Sequence, residues 1–185
     1  PWLKYQVNKP VQGIDYLVQA TYKPDKKLEI YIRYKTASTN ANEVSEENIL
    51  TPVSKKMIQS IRANLTCKLN KEITIRNRAE LVYYNKNIKS AQNGFLAYLD
   101  LIYKPLQSKI SGNLRIQYFE TDGYDSRLYA YENDVLYSSS IPVIYDIGSR
   151  YYININYDIT NKLSCWLRWA QTMYTNKTTV GSGLD

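Results

Sequence analysis

Apolar and polar residues alternate one by one through most of this chain, in runs of about ten residues separated by turn-like segments. In "DYLVQATYKP" (15–24), Tyr16, Val18, Ala20 and Tyr22 share one face, and Leu17, Gln19 and Thr21 share the other. Period two sends successive side chains to opposite sides of a strand, whereas an amphipathic helix needs a period of about 3.6. Such runs occupy 2–8, 14–23, 27–36, 57–69, 72–84, 94–104, 112–121, 125–132, 135–141, 149–158 and 162–172. The expected fold class is therefore all-β, an antiparallel up-and-down arrangement of about 11 strands. No stretch of 18 apolar residues exists, which excludes a transmembrane helix but not a transmembrane barrel, whose strands need only about ten alternating residues.

The connections differ between the two ends of the strands. At one end they are short: "KPDKK", "LNKE", "DITNK" and the longer "KPLQSKISG". At the other end two are long, 36–56 and 84–94, the first polar and rich in Asn and Glu. Short turns at one end and long loops at the other match an outer-membrane barrel, with the turns periplasmic and the loops outside. Two strands split at "END" (132–134) keep this alternation, while one long strand over 125–141 would break it. "YKP" closes strands at 22–24 and 103–105, and the strands that follow turns place Arg33, Arg78 and Arg168 at equivalent positions.

Alternation alone does not say which face is wet. In a soluble sandwich the stripes Leu28-Ile30-Ile32 and Leu99-Leu101 would meet a core; in a barrel they would meet lipid and the polar faces would line a lumen. Aromatic placement favours the barrel. The chain has 19 Tyr and 3 Trp but only 2 Phe, and Tyr suits a ring with one wet end. Tyr16, Tyr22, Tyr34, Tyr103, Tyr118, Tyr151, Tyr157 and Trp169 fall at stripe ends, as lipid-interface aromatics do, and Ala20, Ala63 and Ala97 fall at stripe centres. Tyr16 to Tyr22 spans roughly 20 Å, which a tilt near 40° projects to about 15 Å, short of an apolar band of roughly 25 Å. The opposite faces carry Arg33, Arg62, Arg76, Arg78, Arg115 and Arg168 with Glu29, Glu80 and Asp100. These are the expected lumen-lining residues, either as a positive lining that favours anions or as cross-strand ion pairs that hold the wall.

Catalytic chemistry is not expected. The chain contains no His, the usual base for a Ser or Cys nucleophile and the commonest zinc ligand. Its glycines form no phosphate-binding loop, and the acid pairs in "SEEN" (45–48) and "YEND" (131–134) read as solvated loop residues. Cys67 and Cys165 fall on apolar faces and read as small hydrophobes. The sequence implies no cofactor and no metal. A net charge of +7 is compatible with polyanion partners such as lipopolysaccharide phosphates; basic and aromatic residues are not clustered as nucleic-acid binding would need. The chain starts at Pro1 without a charged-then-apolar leader, as expected if an export signal was removed or the chain is part of a longer one.

The phrases "QGIDYLVQATYKP", "YDSRLYAYENDVLYSSSIP", "RYYININYDIT" and "LSCWLRWAQTMY…GSGLD" resemble the C-terminal barrel part of the Bacteroidota outer-membrane proteins known as helix-hairpin-helix domain proteins, from about residue 12 to Asp185. The resemblance implies a single barrel segment over 1–185, the C-terminal part of a larger barrel that continues past "GSGLD" into a last strand. The DNA-uptake-like N-terminal region of that family has no counterpart here, so no DNA role passes to any residue. The expectation is thus a non-enzymatic bacterial outer-membrane barrel serving passage of material or display of a surface loop, in contact with lipid, lipopolysaccharide and other outer-membrane or periplasmic proteins. The alternatives are a soluble lipocalin-like or sandwich binding module and a DNA-uptake-associated barrel.

Overall fold

A computed structural model describes residues 7, 10–42, 53–86, 91–175 and 177. Eight strands form one antiparallel sheet: β1 (Ile14–Tyr22), β2 (Leu28–Asn42), β3 (Val53–Lys68), β4 (Ile73–Asn85), β5 (Gln92–Tyr103), β6 (Ile110–Thr121), β9 (Ile147–Thr160) and β10 (Leu163–Tyr174). Each pairs with the next, and β6 pairs directly with β9. Between those two, β7 (Leu128–Tyr129) and β8 (Val143–Ile144) make a separate two-stranded ribbon. Among the described residues there is no α-helix, only a 3-10 turn at Tyr124–Ser126, and β1 and β10 are the sheet's edges.

The expected all-β, antiparallel, up-and-down order is present. The expected strand at 2–8 and the centre of the loop at 36–56 lie mostly or wholly outside the described residues, as do "SEEN", "GSG" and 87–90 of the loop at 84–94. At its flanks that first loop is shorter than expected, because β2 runs on to Asn42 and β3 begins at Val53. Its polar Thr, Ser and Asn residues alternate without apolar contrast, so their pairing leaves no trace in hydropathy. The sheet strands expected at 125–132 and 135–141 do not form. β6 passes straight to β9, which keeps the strand alternation with no intervening passage at all.

The short connections are set by side chains that mimic a turn's own hydrogen bonding. Asp25 Oδ1 accepts from the amides of Lys27 (2.6 Å) and Leu28 (2.8 Å) before β2. Asn70 Oδ1 accepts from Glu72 (2.8 Å) and Ile73 (2.7 Å) before β4. Ser108 and Thr160 do the same with Ile110 (3.1 Å) and Lys162 (3.2 Å).

The two faces of the sheet differ sharply. On β4, Glu80 is 5 % exposed while its neighbour Leu81 is 56 % exposed; on β6, Arg115 is 1 % and Ile116 49 %. Over β4 to β9 the polar face is therefore covered and the apolar face open, whereas β1 is exposed on both faces. Among the residues of these eight strands, the outward face carries only two charges, Lys55 and Glu120, both toward the long-connection end. Cys67 and Cys165 are free thiols on this outward face, across from Leu28 and Tyr157.

Residues 122–146, between β6 and β9, cover the polar face. Thr121 and Asp146 close the base of this strap, with Thr121 N–H donating to the Asp146 carbonyl (2.9 Å) and Asp146 N–H to Thr121 Oγ1 (2.7 Å). Asp146 takes a positive φ of 68° to make the turn. Leu128, Ala130 and Ile144 of the strap pack with Val82, Leu96, Tyr98 and Phe119 of the sheet into a small apolar core. Gly94 lets the strap approach so closely, since a Cβ there would lie 2.3 Å from the Ser126 carbonyl oxygen.

Candidate functional site

The candidate site is the polar face with the strap laid across it. In the strap, residues 128–132 run extended, so side chains alternate: Leu128, Ala130 and Glu132 are buried against the sheet, and Tyr129 and Tyr131 are exposed. The carbonyls of the alternate residues are gripped from three strands. Arg78 on β4 donates to the Tyr129 carbonyl (3.0 Å), Arg115 on β6 to Tyr131 (2.7 Å), and Asn154 on β9 to Asn133 (2.6 Å).

Ion pairs complete the arrangement. Arg115 holds Asp100 through two bonds (2.5 and 2.7 Å), both side chains fully buried. Arg62 holds Glu80 through two more (3.0 and 2.9 Å), and Arg78 bonds the same carboxylate. Glu132 of the strap receives Arg150 (2.6 and 2.9 Å) and Arg168 (2.5 Å), and Arg168 also pairs with Asp134. A carboxylate that accepts from two guanidiniums offsets its own desolvation far better than an isolated one. Burial pushes the Asp134 carboxyl up, but hydrogen bonds from Arg168 and from the Val135 amide outweigh that and hold it below the ordinary aspartate value.

Aromatic rings alternate with these cations across the sheet. The Arg115 guanidinium lies 3.7 Å from the Tyr98 ring centre and 5.2 Å from that of Tyr152, with Arg78 5.9 Å from Tyr98 and Arg168 5.5 Å from Tyr152. Each separation falls within the reach of a cation–π contact. The row Arg78–Tyr98–Arg115–Tyr152–Arg168 thus crosses β4, β5, β6, β9 and β10.

All nine charged residues expected on the polar face lie on it by strand register. Six of them enter the pairs just described: Arg62, Arg78, Arg115, Arg168, Glu80 and Asp100. Glu29 instead meets the exposed Lys23 (2.8 Å). Arg33 stands directly across from Arg62, and among the described residues neither it nor Arg76 has an ion-pair partner. The aromatics expected at stripe ends lie on the outward face; Tyr16, Tyr22, Tyr34, Tyr103, Tyr118, Tyr157 and Trp169 are exposed, and Tyr151 is half-buried. Sequence reasoning missed Arg150, Glu132 and Asp134: the acids of "YEND" are expected as solvated loop residues, whereas Glu132 is fully buried between Arg150 and Arg168. A signal was present: a charge at 132 on the same face as Leu128 and Ala130 does not suit a lipid-facing stripe.

Among the described residues, clefts flank the strap toward both ends of the strands. One, of about 260 Å³, lies toward the long connections between Lys35, Ser60, Arg62, Asp125 and Arg127. Another, of about 240 Å³, lies toward the short turns, where Arg76, Lys104, Asn113, Asn154, Asn156 and Trp166 meet the strap's tip. Among the described residues no group of His, Cys, Asp and Glu is placed to hold a metal ion. No family model, no curated protein and no solved structure matches this chain.

Proposed function

We propose that this chain is part of the wall of a transmembrane antiparallel β-barrel in a bacterial outer membrane, non-enzymatic, through which solutes pass, with the strap narrowing the passage from within. The observation that carries this reading is the inverted sheet: over β4 to β9 its charged face is covered while its apolar face is open. A water-soluble sheet buries the apolar face instead. Contiguous exposed apolar surface of this extent marks a membrane or partner contact. A charge on a lipid-facing strand position costs about 2–4 kcal/mol at mid-membrane and little near the interface, which accounts for Lys55 and Glu120 lying toward the strand ends. Strand length also suffices. The 12 residues of β5 span about 40 Å, or about 30 Å across a membrane at a 40° tilt.

The stripe-end tyrosines and Trp169 suit headgroup-level rings, and the resemblance to the Bacteroidota outer-membrane barrels points the same way. In this reading the barrel closes through the β1 and β10 edges. Extraction tests the reading. Cells making the full-length protein should retain it in the membrane fraction until detergent is added, and the detergent-purified protein should insert into planar bilayers. Recovery of monodisperse protein from buffer alone would sink the proposal and favour a soluble binding module.

A further inference from the structure

We infer that solutes pass beside the strap, along β2 and β3, and that this passage selects small anions, with Arg33 as the deciding residue. The inference rests on the barrel reading and names the solute class that reading leaves open.

The strap lies to one side of the polar face. Among the described residues, its hydrogen bonds and ion pairs to the sheet go to β4, β5, β6, β9 and β10. It makes none to β1, β2 or β3. A cleft of about 260 Å³ lies there instead, with Asp125, Arg127 and Tyr129 of the strap on one side and Lys35, Ser60 and Arg62 on the other. From that cleft to the short turns the polar face of β2 and β3 stays partly exposed, through Arg33, Asn64, Thr66 and Lys68. A solute crossing inside the sheet meets its open wall along this line.

Charge divides in the same way. Under the strap, Arg115, Arg150 and Arg168 are matched by Asp100, Glu132 and Asp134. On the polar face of β1 to β4, the acids among the strand residues are Asp15, Glu29 and Glu80. Each is already held, by Lys35 (2.9 Å), Lys23 (2.8 Å) and Arg62 (2.9 Å) respectively. Arg33, Lys56, Lys68 and Arg76 on the same face meet no acid among the described residues, and all four keep exposed surface. Lys56 lies over the Tyr84 ring instead, 5.2 Å from its centre.

Arg33 stands directly across from Arg62, beside the outward-facing pair of Ile32 and Ala63 within the apolar stripes. Like charges directly opposite each other repel, and Glu80 is already shared by Arg62 and Arg78. A passing anion supplies the missing countercharge at this height. On β3, Lys56 lies six residues from Arg62 toward the long connections, and Thr66, across from Arg76, lies four residues the other way. At about 3.3 Å per residue these steps are roughly 20 and 13 Å. Cations so spaced pass an anion on rather than trap it, since conduction needs sites that are favourable to enter and weak enough to leave. A small cation on the same line meets repulsion and no free strand carboxylate.

Planar-bilayer recording of the full-length protein, purified in detergent, tests this in a potassium chloride gradient. Wild type should pass chloride about fivefold or more readily than potassium, and Arg33→Gln should lower that ratio about fivefold, the effect of one unit charge about 4 Å from an ion in watery surroundings. Arg33→Lys should keep the preference and Arg33→Glu should reverse it. Lys55→Gln, on the outward face, should leave it unchanged. Because Arg33 faces a like charge and no acid, Arg33→Gln should not lower the unfolding midpoint. Pores that prefer potassium or neither ion would overturn the inference and leave the barrel standing. So would a chloride preference indifferent to Arg33→Gln, or one that Lys55→Gln abolishes. Protein that forms no pores at all would reject the passage itself, and this inference with it.

Discussion

Arg115 on β6 and Asp100 on β5 face each other as a two-bond ion pair with almost no exposed surface, and the same guanidinium holds the strap by the Tyr131 carbonyl. One side chain thereby joins two strands and the segment that lies over them. Removing either partner strands a buried charge, which typically costs about 3–5 kcal/mol. Asp100→Leu is therefore expected to lower unfolding stability by that amount. The double change Asp100→Leu with Arg115→Met should recover most of it, as apolar pairs of similar volume often do. Denaturant unfolding of the four proteins of the cycle measures both effects.

Gly94 permits the strap's close approach. An added Cβ would sit 2.3 Å from the Ser126 carbonyl oxygen and 2.9 Å from Leu128 Cδ1, and the first of these is backbone that cannot rotate away. Gly94→Ala should push the strap outward at a cost of about 1–3 kcal/mol, the usual range for overpacking. Trypsin cleavage after Arg127 should accelerate while the strand spectrum stays unchanged. Unaltered cleavage would show that the strap does not rest there.

Glu132 anchors the strap's tip to Arg150 and Arg168. Glu132→Gln removes the charge that both guanidiniums share, leaving Arg168 with Asp134 alone. In planar bilayers the variant should show a larger and noisier conductance than wild type, because the segment narrowing the passage is less firmly held. Its reversal potential in a salt gradient should move toward anion preference, since the polar face gains net positive charge.

Acid should release the same tip. Asp134 titrates below its ordinary value of 3.8 in the folded protein, so its pairing adds stability in full above that value and loses it as pH falls through the lowered one. Strap protection against proteolysis by an acid-active protease should be flat from neutral pH down to about 4 and decline below. Asp134→Asn should be less protected than wild type near neutrality and should lack that part of the acid decline.

Much of the sheet was legible because burial on one side imprints period two. β4 is the clearest case, with Arg76, Arg78 and Glu80 set against Ile75, Ala79 and Leu81. The polar extensions of β2 and β3 left no such imprint, since neither side of Thr39–Asn42 contrasts with the other. The strap misled for an instructive reason. Leu128, Ala130 and Glu132 do alternate with Tyr129 and Tyr131, but the two-sided environment they report is the sheet's face below and open space above. Runs of eight and seven residues are also shorter than the ~9–11 a spanning strand needs. The asparagine-lined cleft was not legible, because its members come from β6, β9 and the strap's tip, brought together only by the 122–146 excursion.

The three gripped carbonyls carry a consequence for assembly. Arg78, Arg115 and Asn154 belong to strands β4, β6 and β9, and they meet successive alternate residues of the strap only when those strands are aligned as they are here. A slip of one residue anywhere between β4 and β9 would turn at least one of the three donors to the opposite face. The strap therefore works as a gauge of strand alignment. It seats fully on a correctly registered sheet, and a mispaired one leaves its charged tip unanchored.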